Sequence, residues 1–293
     1  MFIEMAVGDA YGAAFEFTKT PAIPNDLSRY GSHPKGELPE AAFTDDTLRA
    51  VANARVLLSG DEDDAYRAEA YAQAYLDAHA LDHRKGWSTR FQQILEQHRG
   101  RHGMDLMRTL RRSPTNGCLM GVAPLGFLPT IDQVRLAATV QTVSTHAGSA
   151  VPYAQVVAIA AHHLLHGGTT LTVLDHVVEE VEWADARDAS RFRALVSDEP
   201  PVPAMPAHTI AAGALWALTH FDSCGEALRW TCSRAGDTDS LGAVTMALAA
   251  CAADMVQDLP DHLLQGVDTE ENRTMLHALD ADLARRFDIK GTT

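Results

Sequence analysis

The chain has 293 residues, of which 46% are hydrophobic and 22% charged, and carries a formal net charge of −15. That balance is globular, neither disordered nor fibrous, and its acidity excludes a general electrostatic attraction to nucleic acid or to anionic lipid. The longest apolar run, residues 241–253, falls short of the ~20 residues a membrane span needs.

Helical periodicity dominates, and alternating strand patterns bounded by turn residues are scarce, so the predicted fold class is all-α. The first helix is predicted over 1–16, where MFIEMAVGDAYG carries Glu4 and Asp9 within its apolar stretch and has no basic n-region, unlike a signal peptide. A Pro-rich irregular loop follows over 18–40, a length at which loops are often functional. FTDDT (43–47) opens a helix over 45–58, and the acid run GDEDDA (60–65) leads into a helix over 65–81 whose Tyr66, Tyr71 and Tyr75 fall at core spacing. Helices follow over 88–98, 131–142, 151–166, 171–183, 208–219, 224–234, 239–254 and 269–287, with a second Pro-rich loop over 196–208. No composition shift marks a boundary and no repeat period is present, so a single domain over 1–293 is expected.

Several features read as ordinary structure. Cys118, Cys224, Cys232 and Cys251 form no C-x-x-C pair and no zinc spacing, which suits reduced buried thiols. His162, His163 and His166 include an i, i+4 pair able to chelate a metal, but the sequence offers no third ligand. HRGRHG (98–103) is a small basic cluster in an acidic chain.

Two acidic clusters demand more. Thr44, Asp45, Asp46 and Thr47 precede one helix, and AGDTDSLGA (235–243) puts Asp237 and Asp239 before another. A Thr, Ser or Asp at a helix start caps orphan N–H groups, and the macrodipole favours acids there. Capping uses one acid per helix, whereas each cluster holds two. Four converging carboxylates would repel unless a cation sat between them. Hard oxygen ligands without His or Cys point to Mg²⁺ or Mn²⁺. If the two helix starts meet, they form a two-metal site.

The ordered set AVGDAYGAAFEF (6–17), FTDDT (43–47), NGCLMGVAPLGFL (116–128), STHAG (144–148) and AGDTDSLGA (235–243) resembles the ADP-ribosylglycohydrolase family, the group of dinitrogenase reductase activating glycohydrolase. The resemblance implies a compact all-α bundle that hydrolyses an ADP-ribose glycosidic bond at a binuclear Mg²⁺ or Mn²⁺ centre. By motif position it implies Thr44, Asp45 and Asp46 as ligands from the first cluster and Asp237, Asp239 and Ser240 from the second. Glu16 matches an acid that gates or assists catalysis, and the general base is one of Asp45, Asp46 and Glu16. Asp9 is expected to orient backbone. Asn116, Gly117, His146, Ser113 and Ser149 are the implied substrate-binding residues, although a Gly-containing turn at 116 is also an ordinary capping turn.

The sequence departs from the family at Gly121, where many members carry Arg, at Ala235, where many carry Gly, and at Arg49, where an apolar residue is usual. No implied metal ligand is lost. The resemblance implies an ADP-ribosylated protein as substrate, with arginine as acceptor by family analogy. The alternatives are a hydrolase of a free ADP-ribose derivative such as O-acetyl-ADP-ribose or poly(ADP-ribose), and a non-catalytic ADP-ribose-binding relative. The expected setting is a soluble, cytoplasmic monomer with no membrane or nucleic-acid partner.

Overall fold

Helix starts in this chain are written in its Ser, Thr and Asp residues. In the computed structural model, which describes residues 1–34, 38–84 and 86–289, the side chains of Thr44, Thr130, Asp185, Ser223 and Thr269 each accept a backbone N–H from the first turn they precede. Such caps satisfy donors that no intrahelical carbonyl reaches.

Among the described residues there are fourteen α-helices and no strand, only the isolated bridges Thr115 to Pro206 and Ser223 to Val256. They are α1 (Phe2–Gly12), α2 (Asp45–Leu57), α3 (Ala68–Leu81), α4 (Thr89–Gln97), α5 (Gly103–Thr109), α6 (Ile131–Thr145) and α7 (Val151–Leu165). The second half holds α8 (Val173–Glu180), α9 (Ala186–Ser197), α10 (Ala207–His220), α11 (Cys224–Ser233), α12 (Thr238–Ala249), α13 (Asp261–Gly266) and α14 (Glu270–Arg286).

Helix α12 is buried along its whole length, as its lack of a polar face requires. It packs on α1, α10, α11 and α7. Its crossing with α1 is set by small residues: a Cβ on Gly8 would lie 2.3 Å from the Gly242 carbonyl oxygen, and one on Gly12 would lie 2.5 Å from that of Thr238. Only glycine lets the two backbones approach so closely.

Three helices were not foreseen. Helices α5 and α13 have only 7 and 6 residues, too few to show a periodic face. Helix α9 sits largely in a stretch to which the sequence reading gave no element, and its start is fixed by Asp185, which accepts from both Arg187 N and Asp188 N. The first helix stops at Gly12 instead of 16, continuing as a single 3₁₀ turn (Ala13–Phe15) that leaves Glu16 extended. The last turn predicted for 239–254 is absent because α12 ends at Ala249. Tyr71 and Tyr75 are fully buried, and all four cysteines are free and buried. No described helix is long and apolar enough to cross a membrane.

Candidate metal centre and its cavity

Helix α1 is the post from which both acidic clusters hang. The Asp9 Oδ2 atom accepts from Thr44 N at 2.9 Å, Thr47 N at 3.0 Å and Thr47 Oγ1 at 2.7 Å. The carboxylate therefore caps α2 from a neighbouring helix, and burial raises its pKa to about 6. Thr44 completes the start of α2 by accepting the Asp46 N–H at 3.2 Å.

The second cluster is fixed by the α1/α12 crossing and by a turn. Thr238 Oγ1 donates to the Gly12 carbonyl at 2.8 Å. Ala235 and Gly236 both lie in the left-handed region, at φ 59° and 79°. The Gly236 carbonyl accepts Phe17 N at 2.7 Å, and Asp237 N donates to Pro203 O at 3.1 Å. These bonds tie the chain on either side of Glu16 to the start of α12.

Carboxylate oxygens of Glu16, Asp237 and Asp239 all lie within 4.8 Å of one another, forming the one such group of three ligating side chains among the described residues. The histidines of α7 form no comparable group: His162 faces the Gly126 carbonyl at 3.0 Å, while the rings of His162 and His166 are 4.1 Å apart. Asp45, Asp46, Asp237 and Asp239 are all buried. Burial, then Asp9, Asp45 and Asp237, push Asp46 well above the carboxylate range, against a Ser240 hydroxyl bond that pulls it down. Burial, then Asp237, Glu16 and Asp46, do the same to Asp239. The two helix starts thus feel each other across one site. Asp45 is raised less, because its burial is offset by the Arg49 guanidinium, whose Nε lies 3.3 Å from Asp45 Oδ2.

Asp46 Oδ2 is buried with no hydrogen-bond partner. A lone buried carboxylate oxygen is costly, and this donor set of carboxylates and hydroxyls fits a hard divalent cation. Glu16, expected to gate or assist, belongs geometrically with Asp237 and Asp239, and its Oε2 also lies 2.6 Å from His33 Nε2.

Both clusters open into a cavity of about 880 Å³, within the range of small-molecule sites. Asn116, Gly117, His146 and Ser113 line it. The Asn116 amide donates to Asp237 Oδ2 at 2.7 Å and to Ala204 O at 3.2 Å, so it orients a carboxylate and has little left for a phosphate. His146 is buried, its pKa lowered to about 3 by burial and by Arg49, and its Nε2 lies where a Gly117 Cβ would come within 2.9 Å. Ser149 is exposed in the 148–150 turn and does not line the cavity.

Sequence reasoning missed other residues of the lining, among them Trp87, Phe91, Arg90, Arg111 and Arg112. The Arg49 guanidinium sits 4.7 Å from the Trp87 ring centre, 4.9 Å from Phe91 and 5.3 Å from Tyr75. A Cβ on Gly121 would lie 2.5 Å from Asn53 Nδ2 and 3.2 Å from Arg49 O. A side chain at 121 would therefore have to displace the Asn53 amide, and Arg49 from α2 lines the cavity.

A family profile described as ADP-ribosylglycohydrolase matches residues 5–292. Among solved structures, a chain titled "ADP-ribosylglycohydrolase-related protein complex" superposes with a TM-score of 0.72 at 26% identity, covering 97% of this chain and 95% of that one. No curated protein matches the sequence.

Proposed function

This chain belongs to the ADP-ribosylglycohydrolase family, and we propose that it is a metal-dependent hydrolase that releases ADP-ribose from a modified acceptor. The observation that carries this reading is the meeting of two acidic helix starts and Glu16 at one cavity, with Asp46 Oδ2 buried and unpartnered.

Thr44, Asp45, Asp46, Asp237, Asp239 and Ser240 would hold two Mg²⁺ or Mn²⁺ ions. Bound there, such ions supply Lewis acidity toward ribose hydroxyls and toward a water. Glu16 stands beside Asp237 and Asp239, where a carboxylate can take the proton of the attacking water. Asp45 and Asp46 are the other candidate bases, of which Asp45 is engaged by Arg49. Nearby anions stabilise the oxocarbenium character that develops at the anomeric carbon. Asn116 fixes the Asp237 carboxylate and so positions it.

By family analogy the acceptor is an arginine side chain of a protein. A free ADP-ribose derivative is the alternative. A panel of defined ADP-ribosylated substrates, assayed for released ADP-ribose with and without metal, decides between them. Asp45→Ala and Asp239→Ala should each abolish release while leaving the helical circular dichroism unchanged. Full activity in either variant would defeat the two-cluster mechanism.

A further inference from the structure

We propose that His33 is a positioning residue for Glu16: the segment 18–34 is a rigid strap that carries His33 to the centre, where its Nε2–H holds the Glu16 carboxylate. His33 Nε2 and Glu16 Oε2 lie 2.6 Å apart, with the two side chains only 10% and 14% exposed. Both residues line the cavity. A carboxylate that is to take a proton can only accept a hydrogen bond, so the hydrogen of this contact sits on the His33 ring.

Residues 18–34 form no helix or strand, yet buried anchors hold them. Ile23, Leu27 and Tyr30 are all buried. Leu27 N donates to Tyr11 Oη at 3.0 Å, the Leu27 carbonyl faces His262 Nε2 at 3.0 Å, and Tyr30 Oη donates to Leu263 O at 2.8 Å. The Asn25 amide donates to Arg229 O at 2.7 Å. Helices α1, α11 and α13 thus each grip the strap. Leu27 is held at φ 62°, a left-handed conformation that is costly for a residue with a Cβ and persists only where the surroundings impose it.

Beyond these anchors the strap runs against the turn that carries Glu16. A Cβ on Gly31 would lie 2.9 Å from Ala14 Cβ, so the chain just before His33 touches the chain just before Glu16. On the other flank Phe17 N is bonded to Gly236 O. Glu16 is therefore fixed along its backbone and at the tip of its side chain, with Asp237 and Asp239 beside it. Holding the tip removes side-chain freedom that a glutamate otherwise keeps. A base must stand within hydrogen-bond reach of the proton it takes, and a displacement of about 1 Å costs up to about 10²-fold in rate. Long irregular loops in compact domains are usually functional, and this one delivers the side chain that aims Glu16.

The proposal rests on the reading of Glu16 as the base, so its test has one arm without turnover and one with it. In the first, the full chain labelled with ¹⁵N-histidine should show a slowly exchanging His33 Nε2–H resonance that shifts or broadens in Glu16→Gln. In the second, His33→Ala should lower kcat for ADP-ribose release by at least about tenfold, with KM and Mn²⁺ affinity close to wild type. His33→Gln, whose amide N–H can stand in for Nε2–H, should recover most of that loss. In a Glu16→Gln background His33→Ala should cost nothing further, because a residue that acts through another is non-additive with it. Absence of the Nε2–H resonance, wild-type kcat in His33→Ala, equal losses in His33→Ala and His33→Gln, or a loss that persists undiminished in Glu16→Gln each overturns the proposal. So does a loss confined to KM or to Mn²⁺ affinity, which would assign His33 to binding. The resonance present and sensitive to Glu16→Gln, together with no ADP-ribose release from any substrate by the wild type, supports the strap and its contact and defeats only the glycohydrolase reading.

Discussion

Replacing Gly8 by Ala tests whether the α1/α12 crossing builds the site. The added Cβ would lie 2.3 Å from Gly242 O and 2.6 Å from Gly242 C, where ordinary contact begins at 3.4 Å. The obstacle is helix backbone, so the two helices must separate by roughly 1 Å. Overpacking of this kind costs about 1–3 kcal/mol, and the helix-propensity gain of Gly→Ala returns about 0.8–1 kcal/mol. A net loss of up to about 2 kcal/mol lowers Tm by up to roughly 8 °C. Because Asp239 rides on α12 and Asp9 on α1, the same shift should lower turnover by up to about 10²-fold. Thermal unfolding and ADP-ribose release are measured beside Gly60→Ala, a position with nothing within 4 Å of the added carbon. Wild-type Tm and activity in Gly8→Ala would refute the claim that this contact sets the site.

Ala235 occupies the left-handed region at φ 59°, which costs a residue with a Cβ about 1–2 kcal/mol, against about 0.5–1 kcal/mol of extra chain entropy for glycine. Ala235→Gly should therefore raise Tm by a few degrees with activity retained, and a lower Tm would contradict the strain argument. Burial raises Asp9 to about 6 and lifts Asp45, Asp46 and Asp239 above the ordinary range. In metal-free protein such groups contribute stability that is complete below their unfolded pKa near 4 and is lost as pH rises through the raised values. Stability contributed by the cluster should thus fall from about pH 4 to beyond 6 in EDTA, and the Tm gain from Mn²⁺ should grow between pH 5 and 8. Asp239→Asn should flatten both slopes relative to wild type; equal slopes would mean the cluster does not bind the ion.

Much of the candidate site was legible because the carboxylates and hydroxyls that could hold an ion are also the residue types that cap helices. Thr44, Asp45, Asp46, Asp237 and Asp239 stand at helix starts that the sequence announces, and the excess of acids over caps marked them. Glu16 was found only by motif, and its place beside Asp239 depends on a backbone bond from Phe17 N to Gly236 O across more than 200 residues. The arginines of the cavity lining could not be read locally, since Arg49, Arg90 and the Arg111–Arg112 pair come from three separated segments. Asn116 carries the signature of a phosphate turn, yet its amide meets Asp237 because of the fold. Helix α9 was missed because its exposed face is polar, although Asp185 gave a capping signal.

The most direct measurement of the central claim is the electron paramagnetic resonance of Mn²⁺ added to metal-stripped protein, for wild type, Asp46→Asn and Asp239→Asn. A shared binuclear centre predicts two bound, magnetically coupled Mn²⁺ per wild-type chain and loss of the coupled signal when either cluster is altered. Uncoupled or absent Mn²⁺ in the wild type, or a coupled signal that survives Asp239→Asn, would contradict it.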